Sequence, residues 1–156
     1  MNIEKIVNDL ARFFDIRELV SKAVYDKHQT GAWRLFDPRL LETLLVLRRD
    51  ILRVPLVCNN WRSGGNLQQR GLRENVCQIV KEKTAAGSLY VSAHTLGKAV
   101  DLSSPSMSAD DMRRTIKNYA DMLPWPVRIE KKEGAPTWLH IDVACSPYQQ
   151  EKILWF

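Results

Sequence analysis

Cysteine is scarce: Cys58, Cys77 and Cys145 are the only three in 156 residues. They lie far apart and form no C-x-x-C pair, which excludes a disulfide-stapled framework and a cysteine zinc knuckle. They read as reduced core thiols. No apolar run approaches the roughly 18 to 20 residues that a membrane span requires, and residues 1–10 alternate charge with aliphatics instead of forming a signal-peptide core. The expectation is a soluble product made in the cytoplasm without a signal peptide. Whether it acts there or, after release, in the periplasm or cell wall stays open at this level. Internal repeats, low-complexity tracts and linkers are lacking too, so a single domain over 1–156 is the simplest count. An excess of charge of one sign is nearly lacking: 23 Lys and Arg stand against 18 Asp and Glu, a net +5 that favours acidic partners without naming one. What is present, 45% apolar and 26% charged residues, suits one globular domain with one real core.

The first third reads as helical. Ile3, Ile6, Val7, Leu10, Phe13 and Phe14 recur at helical spacing behind Asn2, and Ile16, Leu19, Val20, Ala23 and Val24 form a second stripe after Asp15. Asp37 followed by Pro38 predicts a helix start, with Leu40, Leu41, Leu44, Leu47 and Ile51 as its buried face. After Pro55 the pattern changes. Residues 56–61 read as a strand that carries Trp61 and Arg62 to its end, before a polar Ser63-Gly64-Gly65-Asn66 loop. Residues 88–103 hold two β-like pieces around Gly97, and Ser108 with Asp111 opens a helix running to about Met122. Residues 127–130 and 138–143 predict a hairpin with a long loop. The fold class is therefore α+β, a helical part over 1–54 packed on a mostly antiparallel, sheet-bearing part over 55–156.

Only three histidines occur, and two of them, His94 and His140, sit in the second half beside carboxylates. Strand alternation across 98–102 places Asp101 on the face of the small residue Ala99, away from Val100 and Leu102. The same alternation places Trp138, His140 and Asp142 opposite Leu139, Ile141 and Val143. His94, Asp101 and His140 make up the ligand set of a catalytic zinc, in which three protein groups hold the ion and a fourth position stays open. Zinc makes water acidic near neutral pH and polarises a carbonyl, so a carboxylate is needed to carry the proton; Glu130 and Glu133 are the local candidates.

Ser92-x-His94-x-x-Gly97-x-Ala99-x-Asp101, with the later Trp138-x-His140, resembles the signature of the zinc D-Ala-D-Ala carboxypeptidase, dipeptidase and L-alanyl-D-glutamate endolysin superfamily, whose fold is shared with the hedgehog signalling domain. Asn59-Asn60-Trp61-Arg62-x-Gly64-Gly65 with Arg70-Gly71-x-Arg73 is similar to a small phage-borne and prophage-borne branch, which extends the resemblance over nearly the whole chain. The resemblance implies a hedgehog/DD-peptidase-like fold, one zinc ion on His94, Asp101 and His140, and hydrolysis of an amide bond in peptidoglycan stem peptides or related short peptides with D-residues. By this resemblance Arg62 is similar to the family arginine that holds and polarises substrate; beside it, Ser92 is expected to hydrogen-bond substrate or brace the ligand shell, and Trp138 to wall the substrate cleft or to pack. The sequence departs from the family at Thr137, where many members carry the catalytic glutamate; in the hedgehog-like arrangement the glutamate ends the preceding strand, which puts Glu130 first and Glu133 second.

Two other classes of function compete. A non-catalytic virion or wall-binding protein would keep the zinc for stability alone. A nucleic-acid-binding domain would use Arg62, Arg70, Arg73, Lys81 and Lys83 with Trp61 as a basic, aromatic surface, but these residues form no nucleic-acid module and +5 is modest.

Overall fold

The structure is a computed structural model that describes residues 2–156. Six α-helices and a four-stranded mixed sheet form an α+β architecture, and all four strands lie in the second part of the chain. Helix α1 spans Ile3–Leu10, α2 Ile16–Leu19 and α3 Lys22–His28. Each begins where a polar side chain can accept from the exposed N–H groups of a first turn: Asn2, Asp15 and Ser21 are the caps, and Asp15 with Glu18 closes a full capping box. A 3₁₀ segment, Gln29–Leu35, follows, and α4, Pro38–Val46, starts at Asp37 with proline in the first turn. Its continuation, Leu47–Ile51, widens into a π turn, so the expected helix over this stretch has its full length with an altered last turn.

Two expectations fail between α4 and the sheet. Residues 56–61 do not form a strand. The backbone there is satisfied piecemeal: Val57 bridges Ser103, Asn59 Nδ2 donates to the Val20 carbonyl, and Asn59 Oδ1 and Asn60 Oδ1 accept from the Arg70 and Leu67 N–H groups. Asparagine side chains thus take the place of a ladder, and Trp61–Ser63 curls into a 3₁₀ turn. The first β-like piece before Gly97 is likewise a turn, in which Thr95 N and Lys98 N return to the Ser92 and Ala93 carbonyls. Between them lies α5, Gln78–Ala85, which the pattern did not announce because it has no buried residue and no side-chain cap.

The sheet contains β1 (Ala99–Leu102), β2 (Val127–Ile129), β3 (Leu139–Asp142) and β4 (Ile153–Trp155), in the order β1-β3-β2-β4. The β1–β3 and β2–β3 pairings are antiparallel, as the hairpin reading requires. The short β4, unforeseen, joins β2 in parallel and makes the sheet mixed. One face carries Val100, Leu102, Val127, Ile129, Leu139 and Ile141, all fully buried in a core shared with Leu40, Leu41, Leu44 and Leu47 and with Met112 and Ile116. Helix α6 runs Ala109–Asn118 from its Ser108 cap, and its expected last turn is a separate 3₁₀ piece, Ala120–Met122. Each large core side chain contributes on the order of 1.5 to 3 kcal/mol, so this apolar face anchors the sheet and leaves the opposite face for polar groups.

Gly97 seats the turn that enters β1. Its φ is +65°, and a Cβ there would lie 2.2 Å from the Leu35 carbonyl oxygen. Both the left-handed backbone and the close approach of the 3₁₀ segment demand glycine. Gly97→Ala is expected to lower stability by about 2 to 4 kcal/mol, read as the shift in urea unfolding midpoint. Gly31→Ala, where a Cβ meets nothing within 4 Å, should leave stability unchanged or slightly raised.

Candidate metal centre

The face of the sheet turned away from the core presents Asp101 from β1, His140 and Asp142 from β3, and Arg128 from β2. Register fixes their proximity: Asp101 lies directly opposite His140, and Asp142 lies opposite both Ala99 and Arg128. The fifth group arrives from outside the sheet. His94 sits in the turn before Gly97, 4% exposed, with Ser92 Oγ accepting from its backbone N–H at 3.2 Å. Ser92 thereby braces the turn while also lining the cavity.

The Gly71 carbonyl assigns the nitrogens of the His94 ring, whereas both nitrogens of His140 face carboxylates. His94 Nδ1 lies 3.0 Å from the Gly71 carbonyl, which can only accept, so Nδ1 carries the proton and Nε2 faces Asp101 Oδ2 at 3.5 Å. His140 Nδ1 lies 2.7 Å from Asp101 Oδ1, and its Nε2 lies 3.2 Å from Asp142 Oδ2. With Nε2–H donated to Asp142, Nδ1 is the nitrogen left for a metal. Ligand atoms from His94, Asp101 and His140 all fall within 4.8 Å of one another. A tetrahedral ion with bonds of about 2.0 to 2.2 Å draws its ligands to about 3.3 Å apart, so small side-chain rotations suffice. These residues fit a three-ligand metal site, and the carbonyl and carboxylate behind the two rings supply the supports that such sites use to fix tautomer and orientation.

Asp142, which could have been a hairpin-surface residue, is fully buried and belongs to those supports. Its carboxylate accepts from Arg128 Nε and Nη2 at 2.8 and 3.0 Å and from the Ala144 N–H at 2.8 Å, in addition to His140. Burial alone would raise its pKa, but the hydrogen bonds from His140 and Arg128 outweigh that and hold it below the usual range. Asp101 is likewise held low: desolvation opposes its charge, and the two imidazoles overcome desolvation. His94 moves down because burial dominates over its attraction to Asp101. For His140 burial also favours the neutral ring, yet Asp101 and Asp142 overcome it and raise the pKa to about 9.

Of the other expected residues, Glu130 follows β2 directly and lines the cavity of about 270 Å³ that holds the triad, as does Trp138. Glu133 is exposed in the hairpin loop and is not part of that lining. Arg62 lies elsewhere: its guanidinium pairs with Asp15 Oδ2 at 2.8 Å, beside the cap of α2, because the absence of a strand over 56–61 removes the expected path to the site. The cations that do line the cavity are Arg73 and Arg128. Sequence reading did not single out Arg128 or Phe156, whose ring stands edge-on to His140 at 5.7 Å and under the Arg128 guanidinium. Alternation in β2 was a usable signal for Arg128, since it sits between the core residues Val127 and Ile129. The basic set weighed for nucleic acid is dispersed: Arg73 is buried, Arg62 is paired, and Trp61 is bonded to the Val20 carbonyl. The cysteines are all free, two of them buried, and burial pushes the Cys58 thiol strongly up. Among the described residues no helix is long and apolar enough to cross a membrane.

No family model, curated protein or solved structure matches this chain.

The raised His140 pKa has a definite sign. Its protonated form contributes stability in full below the ordinary value of 6.5 and loses it as pH rises through about 9. The melting temperature of the chain in chelator should fall across that window, and His140→Gln should flatten the slope. A metal must displace the same proton, so apparent zinc affinity, measured by competition with a chromophoric chelator, should climb by up to about tenfold per pH unit below that value. Asp142→Asn should weaken zinc binding by about 10- to 100-fold in the same assay while the chain stays folded.

Proposed function

We propose that this chain is a zinc-dependent peptidase that hydrolyses an amide bond in short peptidoglycan-type peptides containing D-residues. The observation that carries the reading is the convergence of His94, Asp101 and His140, each ring with its outer nitrogen already bonded, in a cavity that also contains Glu130. A purely structural histidine pair has no need of a free carboxylate beside it. The resemblance of the Ser92–Asp101 and Trp138–His140 motifs to the zinc peptidases supplies the substrate class.

Zinc held by two imidazoles and one carboxylate supplies Lewis acidity, making water acidic near neutral pH and polarising a carbonyl oxygen. The protein residues divide the remaining work. His94, Asp101 and His140 hold the ion, and Asp142, saturated by Arg128 and Ala144, keeps His140 in the tautomer whose Nδ1 is free. Glu130 takes the proton from the attacking water and passes it to the departing amine. It is suited to this by position: it directly follows β2, its own N–H donates to the His140 carbonyl, and it lines the cavity that holds the triad. Trp138 forms a wall of the cleft, and Ser92 steadies the His94 turn. Arg62 takes no part, and Glu133 stands outside the cavity.

Glu130→Gln is expected to retain about one zinc per chain, seen by elemental analysis, and to lose at least about 100-fold in cleavage of stem peptides followed by mass spectrometry. His140→Ala should lose both. Zinc retained by the unaltered chain with no cleavage of any stem peptide would sink the peptidase reading and leave a metal-stabilised binding protein. A normal rate in Glu130→Gln would remove Glu130 from the mechanism.

A further inference from the structure

Helix α6 buries Ala109, Met112, Arg113 and Ile116, so an arginine stands within the otherwise apolar stripe of that helix. Arg113 is only 6% exposed, and a charge held so far out of water is tolerated where its N–H groups are bonded. They are, and nearly all of their partners belong to one short stretch of chain. Nε donates to the Glu130 carbonyl at 3.0 Å, and Nη2 donates to the Trp138 carbonyl at 2.8 Å and to that of Ala135 at 2.5 Å. Nη1 reaches one oxygen of Asp110 at 3.2 Å, a turn back on the same helix, and the other Asp110 oxygen accepts from Lys132 Nζ. One guanidinium and its counter-ion thus grip residues 130–138 at four places.

Those residues connect β2 to β3, and both ends of the connection line the metal cavity: Glu130 directly after β2 and Trp138 directly before β3. Past the Glu130 N–H, which donates to the His140 carbonyl, the two chains part into a loop in which Gly134 N and Ala135 N turn back to the Lys131 carbonyl. The loop bounds the Glu130 side chain, since a Cβ on Gly134 would lie 2.2 Å from Glu130 Oε1. The carboxylate is therefore located by its own backbone and by Gly134. Arg113 fastens the first at the Glu130 carbonyl and the second at the adjacent Ala135. A lysine, with all its donors on one atom, could not span these carbonyls as the planar fork does.

We propose that Arg113 is a positioning residue for hydrolysis: it does not line the cavity itself, and it sets where the Glu130 carboxylate stands relative to His94, Asp101 and His140. The assignment rests on the peptidase reading, in which Glu130 carries the proton, and adds that the base is held from α6, apart from the strands that carry Asp101 and His140. Those ligands have their own supports in Gly71 and Asp142. Loss of Arg113 consequently separates two properties, leaving zinc binding intact and impairing proton transfer.

The test reads the place of Glu130 as well as the rate. Cobalt(II) in the zinc position shifts nearby NMR signals by an amount that falls steeply with distance from the ion. In Arg113→Gln the Glu130 side-chain signals should move, while those of the His94 and His140 rings stay as in the unaltered chain. Loaded with zinc, the variant should hold about one ion per chain, and its kcat on stem peptides should fall by about tenfold or more with KM within about threefold. In the Glu130→Gln chain the same change should cost no more than about twofold of the residual rate, because a base already removed cannot be misplaced. A purely structural role would lower the melting temperature and leave the Glu130 signals and kcat of the folded chain untouched. If Arg113→Gln does not fold, Arg113→Lys is the second variant, expected to show the same pattern with a smaller loss. Unmoved Glu130 signals, an unchanged kcat, or equal losses in the two backgrounds overturn the proposal. Displaced Glu130 signals in a chain that cleaves no stem peptide would count against the peptidase and not the positioning; cleavage indifferent to Arg113 would do the reverse.

Discussion

A single buried carboxylate between two imidazoles organises this protein. Asp101 reaches one oxygen toward His140 Nδ1 and the other toward His94 Nε2, and each ring is oriented from behind, by the Gly71 carbonyl in one case and by Asp142 in the other. Each support leads back into the fold. Gly71 can offer its carbonyl because the chain there passes so close to Leu19 that a Cβ would lie 1.9 Å from the Leu19 oxygen, and the Leu72 N–H is bonded to that same oxygen. Asp142 is fastened by Arg128, its neighbour across the β2–β3 ladder. The helical part and the sheet therefore both terminate at the same three side chains.

Charge in the cavity shows what the site is built to receive. Two carboxylates, Asp101 and Asp142, are buried together, and Arg128 is committed to one of them. In the metal-free chain the deficit is met by a proton on His140, whose pKa rises to about 9 against the push of desolvation. A proton is a weak substitute for a divalent ion, which would satisfy Asp101 and both rings at once. Arg73 lines the same cavity, and its Nε has no hydrogen-bond partner among the described residues.

Much of this was legible from local pattern. The three helix starts at Asn2, Asp15 and Asp37 follow from capping chemistry that acts within a few residues. Period-two alternation separated Val100, Leu102, Leu139 and Ile141 from Asp101 and His140, because a strand with one face on a core has no other way to lie. What escaped notice lacked a local signature. Helix α5 buries nothing, β4 is three residues long and gains its hydrogen bonds only from β2, and residues 56–61 look like a strand until asparagine side chains are seen to occupy the ladder positions. Arg62 was misplaced for that reason, while Arg73, read in sequence only within the Arg70-Gly71-x-Arg73 motif and the basic set, proved to be buried.

The sequence by itself determined which residues have metal-binding chemistry, which face of each strand they occupy and that the fold is α+β, since residue type and periodicity act over a few positions of chain. Only the tertiary structure decided which of them meet. The distances from His94 to Gly71 and from Arg128 to Asp142 are set by contacts across 23 residues and across 14, and such contacts depend on how apolar faces pack together, a property of the whole chain that no short segment encodes.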